Sequence, residues 1–336
     1  MIQDSLKKLL SGTHLTEEEA TALMDQIMTG EATPVQIGGI LIALKQKGEL
    51  AHEVAGFVRS MRKHVRKVSI TDPDAVDGCG TGGDGAHTFN ISTAAAIVAA
   101  AAGATVAKHG NRSVSSKCGS ADLLEAAGGK IDLEPLEVSE CIKRVGFGFM
   151  FAPVFHPAMR YASGPRRELG VRTVFNILGP MTNPAAVKRQ VIGVYDRSLM
   201  RMMAEVLALT GSVHVLVVHS RDGMDELSIS DASDFVELKD GTLSESSISP
   251  ESAGLVRYPR NAVAGGDAAE NLVILRNVLA GSADGYGDAV ALNAGALLYV
   301  AGKAESIREG ALLARQSLGN GSARAKLDEW VRKTQA

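Results

Sequence analysis

The run Asp77-Gly78-Cys79-Gly80-Thr81-Gly82-Gly83-Asp84-Gly85, continuing into Thr88-Phe89-Asn90-Ile91-Ser92-Thr93, combines the residue types that cradle a phosphate. Glycines take positive φ angles and bring backbone N–H groups against an anion. The hydroxyl and amide side chains that follow stand where an alanine-rich helix begins and its positive dipole end points outward. A second stretch, Lys108-His109-Gly110-Asn111-Arg112 with Ser113, Ser115 and Ser116, gathers a cation, an imidazole, an amide, a guanidinium and three hydroxyls over residues 108–116. That density of donors suits a pyrophosphate. Further on, Asp225-Glu226 is an adjacent acidic pair that, taken alone, reads as a solvated turn. Adjacent carboxylates on a strand point to opposite faces, so this pair must sit in a loop or serve two ions.

Two familiar glycine signatures fail here. Gly78, Gly80 and Gly83 keep the dinucleotide spacing, but the next strand ends in Lys108-His109 where an acidic ribose-binding residue is required, and the loop continues through residues 84–88 before a helix starts. No Gly-Lys-Ser/Thr follows the glycines, which excludes a Walker phosphate loop. Cys118 reads as a small buried packing residue rather than an activated thiolate.

Loops so far apart in sequence need a sheet to bring them together. Short β-type runs at Ala75–Cys79, Ala104–Lys108, Phe147–Ala152, Val191–Tyr195 and Val213–His219 alternate with helical stretches and predict an α/β domain with a mainly parallel central sheet. Ligands bind such sheets at the carboxyl ends of strands; the glycine run follows the first strand and the Lys108 loop the second, so both open on one crevice. Residues 1–70 predict a small helical bundle. Thr16 with Glu19 forms a capping box and Gly30 a stop; Thr33, Pro34 and Gln36 start a second helix ending near Gly48, and a third runs from Ala51 to Arg66. The stretch Ser163–Pro184 reads as helical and then loop-like. The expected division is a helical domain of residues 1–70 joined by 163–188, and an α/β domain of 71–162 and 189–336 ending in a charged, exposed helix over Ala323–Lys333.

The bulk properties narrow the function classes. The length of 336 residues accommodates two domains, and the 45% apolar fraction is that of an ordinary globular protein. A net charge of −3 argues against a nucleic-acid surface while leaving room for a local basic pocket. Cys79, Cys118 and Cys141 form no CxxC pair, which fits a reducing compartment. The N-terminus has no apolar signal core, and the most apolar stretch, Ala94–Ala107, is too short to span a bilayer. The expectation is a cytoplasmic protein with neither nucleic-acid nor membrane partner.

The first loop with Phe89-Asn90-Ile91-Ser92-Thr93, the Lys108-His109-Gly110-Asn111-Arg112 loop with Ser115-Ser116, Arg166-Arg167-Glu168-Leu169-Gly170 through Asn176-Ile177-Leu178-Gly179-Pro180-Met181-Thr182-Asn183-Pro184, and Gly223-Met224-Asp225-Glu226 together resemble the anthranilate phosphoribosyltransferase family. The similarity runs over essentially the whole chain. It implies the second step of tryptophan biosynthesis from chorismate: transfer of the phosphoribosyl group of 5-phosphoribosyl 1-pyrophosphate to the amino group of anthranilate, with Mg2+. It also implies a homodimer through the helical domain.

On that resemblance, Gly80, Gly83, Asp84, Thr88, Asn90, Ile91, Ser92 and Thr93 line the phosphoribosyl pyrophosphate site. Lys108, His109, Gly110, Asn111, Arg112, Ser113, Val114, Ser115, Ser116 and Ser120 complete it. Anthranilate lies near Gly80, Asn111 and Arg166, and magnesium is held by Ser92, Asp225 and Glu226. If Arg166 belongs to the helical domain, anthranilate bridges two domains and a hinge closure gates the reaction. No residue announces itself as a general base. His87 and His109 are the candidates, but an aryl amine is already a nucleophile, so positioning and leaving-group stabilisation carry the expected rate enhancement.

Two departures from the family pattern stand out: Cys118 where serine is common, and Ser163-Gly164 where more apolar residues are usual. Two rival readings remain. A pyrimidine nucleoside phosphorylase would share the architecture but give the Asp225-Glu226 pair no task, and a non-catalytic nucleic-acid binder is opposed by the net charge.

Overall fold

The computed structural model describes residues 2–113 and 117–336, so the expected phosphate contacts of Val114, Ser115 and Ser116 lie outside the described residues. The chain opens with helices α1 (Ile2–Leu10), α2 (Glu17–Met28), α3 (Pro34–Lys47) and α4 (Ala51–His64). Thr16 and Thr33 each accept the N–H three residues on, while Glu19 and Gln36 return the bond, so both capping boxes form. Helix α1 is missing from the sequence reading because its nine residues carry neither a cap signal nor a stop beyond Gly12.

A seven-stranded sheet follows, in the order β3-β2-β1-β4-β5-β6-β7. Its strands are β1 (Val76–Gly80), β2 (Val106–Gly110), β3 (Phe147–Phe151), β4 (Arg189–Gly193), β5 (His214–Ser220), β6 (Ser233–Lys239) and β7 (Thr242–Ile248). The five strands from β3 to β5 are parallel; β6 and β7 run antiparallel. The β6–β7 hairpin turns on Asp240-Gly241, both at positive φ (50° and 79°), as a two-residue hairpin loop requires.

Alternation along the strands sends side chains into two apolar layers. On one face Val76, Val106, Val191, Leu216 and Val218 pack against helix α5 (Ile91–Ala101) and the helix Gly285–Val300. On the other face Ile192, Val194, Val215 and Val217 share a core with the helix Leu199–Leu209 and with Ile37, Leu44, Val54, Phe57 and Met61 of the bundle. Ala162, Val174, Phe175, Ile177, Leu178 and Met181 enter this second core, so the segment containing Arg166 packs with the bundle rather than with α5.

The final helix, Ser322–Gln335, corrects one expectation. It is charged on one face only, because Ala323, Leu327 and Trp330 are buried and Trp330 meets the Phe147 ring edge-on at 5.5 Å. Among the described residues no helix is long and apolar enough to cross a membrane. Cys79, Cys118 and Cys141 are thiols outside any disulfide.

Candidate active site

The glycine run leaves the end of β1 as an irregular loop in which Gly82, Gly83, Gly85 and His87 take φ of 68°, 79°, 70° and 50°. Such a path is open to glycine and strained for His87. The loop delivers Asn90 to the start of α5, whose positive end lies at the carboxyl end of the sheet. Two glycines paired across β1 and β4, Gly80 and Gly193, clear the space into which the next loop folds. A Cβ on Gly193 would overlap the carbonyl of Asp225, and one on Gly80 would strike the Asp225 carboxylate.

Asp225 and Glu226 occupy that space from a loop, as their adjacency demanded. Asp225 Oδ2 accepts the Gly82 N–H at 2.7 Å, and the Asp225 N–H donates to Asp84 Oδ2 at 3.2 Å. Glu226 Oε1 accepts the Ser92 N–H at 3.2 Å, at the positive end of α5. Beneath them Lys108, fully buried, donates to the Gly78 carbonyl at 2.6 Å and to Ser92 Oγ at 3.4 Å.

The loop carrying the acidic pair is fixed from both sides. Asn293 accepts the Leu227 N–H at 3.0 Å and donates to the Leu227 carbonyl at 2.9 Å. Asp222 accepts the hydroxyls of Ser220, Ser228 and Ser230. Burial works to raise the Asp222 carboxyl, and those hydroxyls outweigh it, holding the group below its ordinary value. Asn293 and Asp222 carry no motif of their own, so only the fold reveals their part.

The electrostatics of the pair are those of a cation site. Burial, then the charge of Asp84, raises the Asp225 carboxyl above the usual carboxylate range. Burial, then the charge of Asp225, does the same to Glu226. A metal ion or a bound cationic group would relieve both. Among the described residues no group of three or more His, Cys, Asp or Glu is arranged to hold a metal ion on protein ligands alone. That fits magnesium, which binds one or two carboxylates and takes the rest of its shell from phosphate and water.

The structure brings Gly80, Gly83, Asp84, Ser92, Lys108, Asp225 and Glu226 to one end of the sheet, but other expected ligands are engaged elsewhere. Arg112 is ion-paired to Asp122 and Glu125, at 2.8 Å each, and its guanidinium lies 5.5 Å from the Phe151 ring centre. Asn90 donates to the Cys118 carbonyl at 3.0 Å and accepts from Asn271 at 2.9 Å, tying α5 to the loop after β2. Thr88 forms a β-bridge with Ala264, and Ile91 and Thr93 are buried in α5. Gly110, Asn111 and Ser120 cluster at the end of β2, where Ser120 Oγ donates to the Asn111 carbonyl at 3.2 Å. Ser113 sits beside them, its N–H donating to Asp122 Oδ2 at 3.1 Å.

His109 is buried against His156, with ring centres 4.9 Å apart. Burial, then His156, pushes its imidazole well below the ordinary value, so the ring is neutral and a poor proton acceptor. Its backbone N–H donates to Asp77, a buried carboxyl pushed up to about 6 by desolvation and held by Asn183 at 2.7 Å. Arg166 is half-buried on the helix Arg160–Leu169, its guanidinium 5.1 Å from the Phe175 ring centre. Among the described residues no carboxylate is paired with it.

Residues 3–65 match the family described as the glycosyl transferase family, helical bundle domain, and residues 72–324 match its a/b domain. The chain is 51% identical over 333 residues to anthranilate phosphoribosyltransferase of Alkalilimnicola ehrlichii, covering 99% of this chain and 98% of that protein. It is similar to the crystal structure of anthranilate phosphoribosyltransferase from Thermus thermophilus, with a TM-score of 0.95 and 46% identity over 99% of this chain and 100% of the other. The Saccharomyces cerevisiae enzyme in complex with PRPP and Mg superposes with a TM-score of 0.90 at 27% identity, covering 99% of this chain and 98% of that one.

Proposed function

The chain belongs to the anthranilate phosphoribosyltransferase family, and from that premise we propose how the crevice at the ends of β1, β2 and β4 performs the family's reaction. The enzyme transfers the phosphoribosyl group of 5-phosphoribosyl 1-pyrophosphate to the amino group of anthranilate, releasing pyrophosphate and giving N-(5-phosphoribosyl)anthranilate. The observation that carries the site assignment is the half-buried Asp225-Glu226 pair at the N-terminus of α5, beside a loop of positive-φ glycines.

Asp225 and Glu226, with Ser92, are the residues that would hold magnesium, and the raised carboxyl pKa values fit that assignment. The ion supplies charge neutralisation at the departing pyrophosphate. The backbone N–H groups of residues 83–85 bind phosphate oxygens near the positive end of α5, while Lys108 fixes Ser92 and the floor of the loop. Gly110 and Asn111, at the end of β2, line the phosphoribosyl pyrophosphate site, and Asn111 with Gly80 also faces anthranilate. The half-buried Arg166 binds the anthranilate carboxylate in its two-pronged manner, leaving the aryl amine to attack the anomeric carbon. With His109 neutral and desolvated, rate enhancement comes from positioning and from stabilising the leaving group rather than from a general base.

A helical domain of residues 1–70 with 163–188 and an α/β domain of the remainder fit the two apolar cores. The three thiols outside disulfides fit a cytoplasmic setting. A homodimer is supported by an exposed apolar stripe on α3, where Val35 is 86% and Ile42 43% exposed with an open Gly38 between them. Light scattering is expected to give twice the chain mass, and Val35→Glu with Ile42→Glu to give the monomer; a monomeric wild type would refute the assignment.

The reaction is checked by following anthranilate fluorescence with purified protein and 5-phosphoribosyl 1-pyrophosphate. Loss of signal with stoichiometric pyrophosphate release, abolished by a chelator and restored by Mg2+, is the expected result. No loss with folded protein would return the phosphorylase reading.

A further inference from the structure

Outside the groups assigned above, the loop between the helix Arg160–Leu169 and the short helix Phe175–Leu178 sends Arg172 across to the glycine run. Its Nη2 donates to the carbonyl of Gly83, and its guanidinium carbon lies 3.9 Å from the centre of the Tyr195 ring. The approach is close. A Cβ at Gly83 would lie 3.3 Å from Nη2, and Gly83 has φ +79°, so glycine is the residue that presents its carbonyl here without strain. Tyr195 is bound to the same loop: its N–H donates to Thr81 Oγ1 at 3.1 Å, and the Thr81 N–H donates to the Gly193 carbonyl at 2.9 Å.

Arg172 is thus stacked on a ring anchored at the end of β4 and directed at one peptide plane of the phosphate loop. Among the described residues no carboxylate is paired with it, so its charge is directed to a neutral carbonyl. A trans peptide points its C=O and N–H in opposite directions, so fixing the Gly83 carbonyl also fixes the Asp84 N–H. Asp84 in turn accepts the Asp225 N–H at 3.2 Å. The chain of contacts therefore runs from the segment carrying Arg166, through Arg172 and Gly83, to the acidic pair.

We propose that Arg172 is a positioning residue for phosphoribosyl pyrophosphate: it locks the Gly83–Asp84 peptide into its anion-binding orientation and ties that loop to the segment carrying Arg166. The inference rests on the transferase reading. Charge-assisted hydrogen bonds and cation–π stacking of this kind set the scale of the effect. The test is steady-state kinetics of the full chain with Arg172→Ala, Arg172→Lys, Tyr195→Ala and the Arg172→Ala/Tyr195→Ala pair, alongside wild type.

Arg172→Ala is expected to raise KM for phosphoribosyl pyrophosphate about tenfold, with kcat and the anthranilate KM changed less than about threefold. Added ethylguanidine should lower that raised KM and leave wild type unaffected. Tyr195→Ala should raise the same KM by a smaller factor, and the pair should be no worse than Arg172→Ala alone. An unchanged phosphoribosyl pyrophosphate KM, a rise in the anthranilate KM in its place, or strictly additive effects in the pair would overturn the inference. Should Arg172→Ala fail to fold, Arg172→Lys carries the test, with a smaller rise in the same KM expected. Wild-type turnover separates the two levels: its absence removes the transferase reading, whereas normal wild-type turnover beside an unaffected Arg172→Ala removes this inference alone.

Discussion

Exchanging Glu226 for glutamine is expected to lower kcat about a hundredfold or more while making the metal-free protein more stable. Glutamine keeps an oxygen to accept the Ser92 N–H but gives up the charge that magnesium requires. Removing one electrostatic stabiliser of a developing charge typically costs about a hundredfold to a thousandfold in rate. The stability gain follows from the raised carboxyl. Because burial and Asp225 hold the folded pKa of Glu226 above its unfolded value, the folded state binds its proton more tightly. That contribution is present at low pH and is lost as pH climbs from the ordinary carboxylate range through the folded pKa. Melting curves against pH, without metal, should show wild type losing stability over that window and Glu226→Gln losing less. Magnesium with pyrophosphate should raise the wild-type Tm and leave the variant unmoved. Equal Tm responses in the two proteins would remove Glu226 from the metal site.

Replacing Arg166 with alanine is expected to raise KM for anthranilate about a hundredfold and to leave the phosphoribosyl pyrophosphate KM within about twofold. The guanidinium is half-buried, and desolvation lowers its pKa, so its charge is held at a cost that a carboxylate ligand recovers. A two-pronged guanidinium–carboxylate pair out of bulk water accounts for a factor of this size. The same variant should lose its preference for anthranilate over the neutral carboxamide analogue, since the site would no longer offer a charge to recognise. Kinetics with both acceptors decide the matter: an unchanged anthranilate KM would place the acceptor away from Arg166.

Local chemistry made much of this legible in advance. The capping boxes at Thr16 and Thr33 act within four residues, and both helices start where those residues require. The parallel strands and the loops at their carboxyl ends follow from hydrophobic alternation and glycine placement. The Asp240-Gly241 turn was also a local signal, and reading it would have given the β6–β7 hairpin. What escaped the sequence is long-range. Nothing local says that Asp84 accepts from Asp225, 141 residues away, or that Asn293 grips Leu227 across 66 residues. Arg112 shows the converse. Its position in a donor-rich loop predicts a phosphate ligand, yet Asp122 and Glu125, one and two turns into the next helix region, hold its charge in this structure.

The apolar layer shared by the bundle and one face of the sheet bears on how the substrates are enclosed. Val54, Phe57 and Met61 of α4 lie in one core with Ile192, Val194, Val215 and Val217 of β4 and β5. Swinging the helices away from the sheet would expose that layer to water, at about 25 cal/mol for every Å² uncovered. With Arg172 bound to the Gly83 carbonyl as well, the segment carrying Arg166 is fastened at two places, to the bundle through this layer and to the phosphate loop through one guanidinium, so the acceptor side of the crevice and its phosphate side are held by the same short stretch of chain.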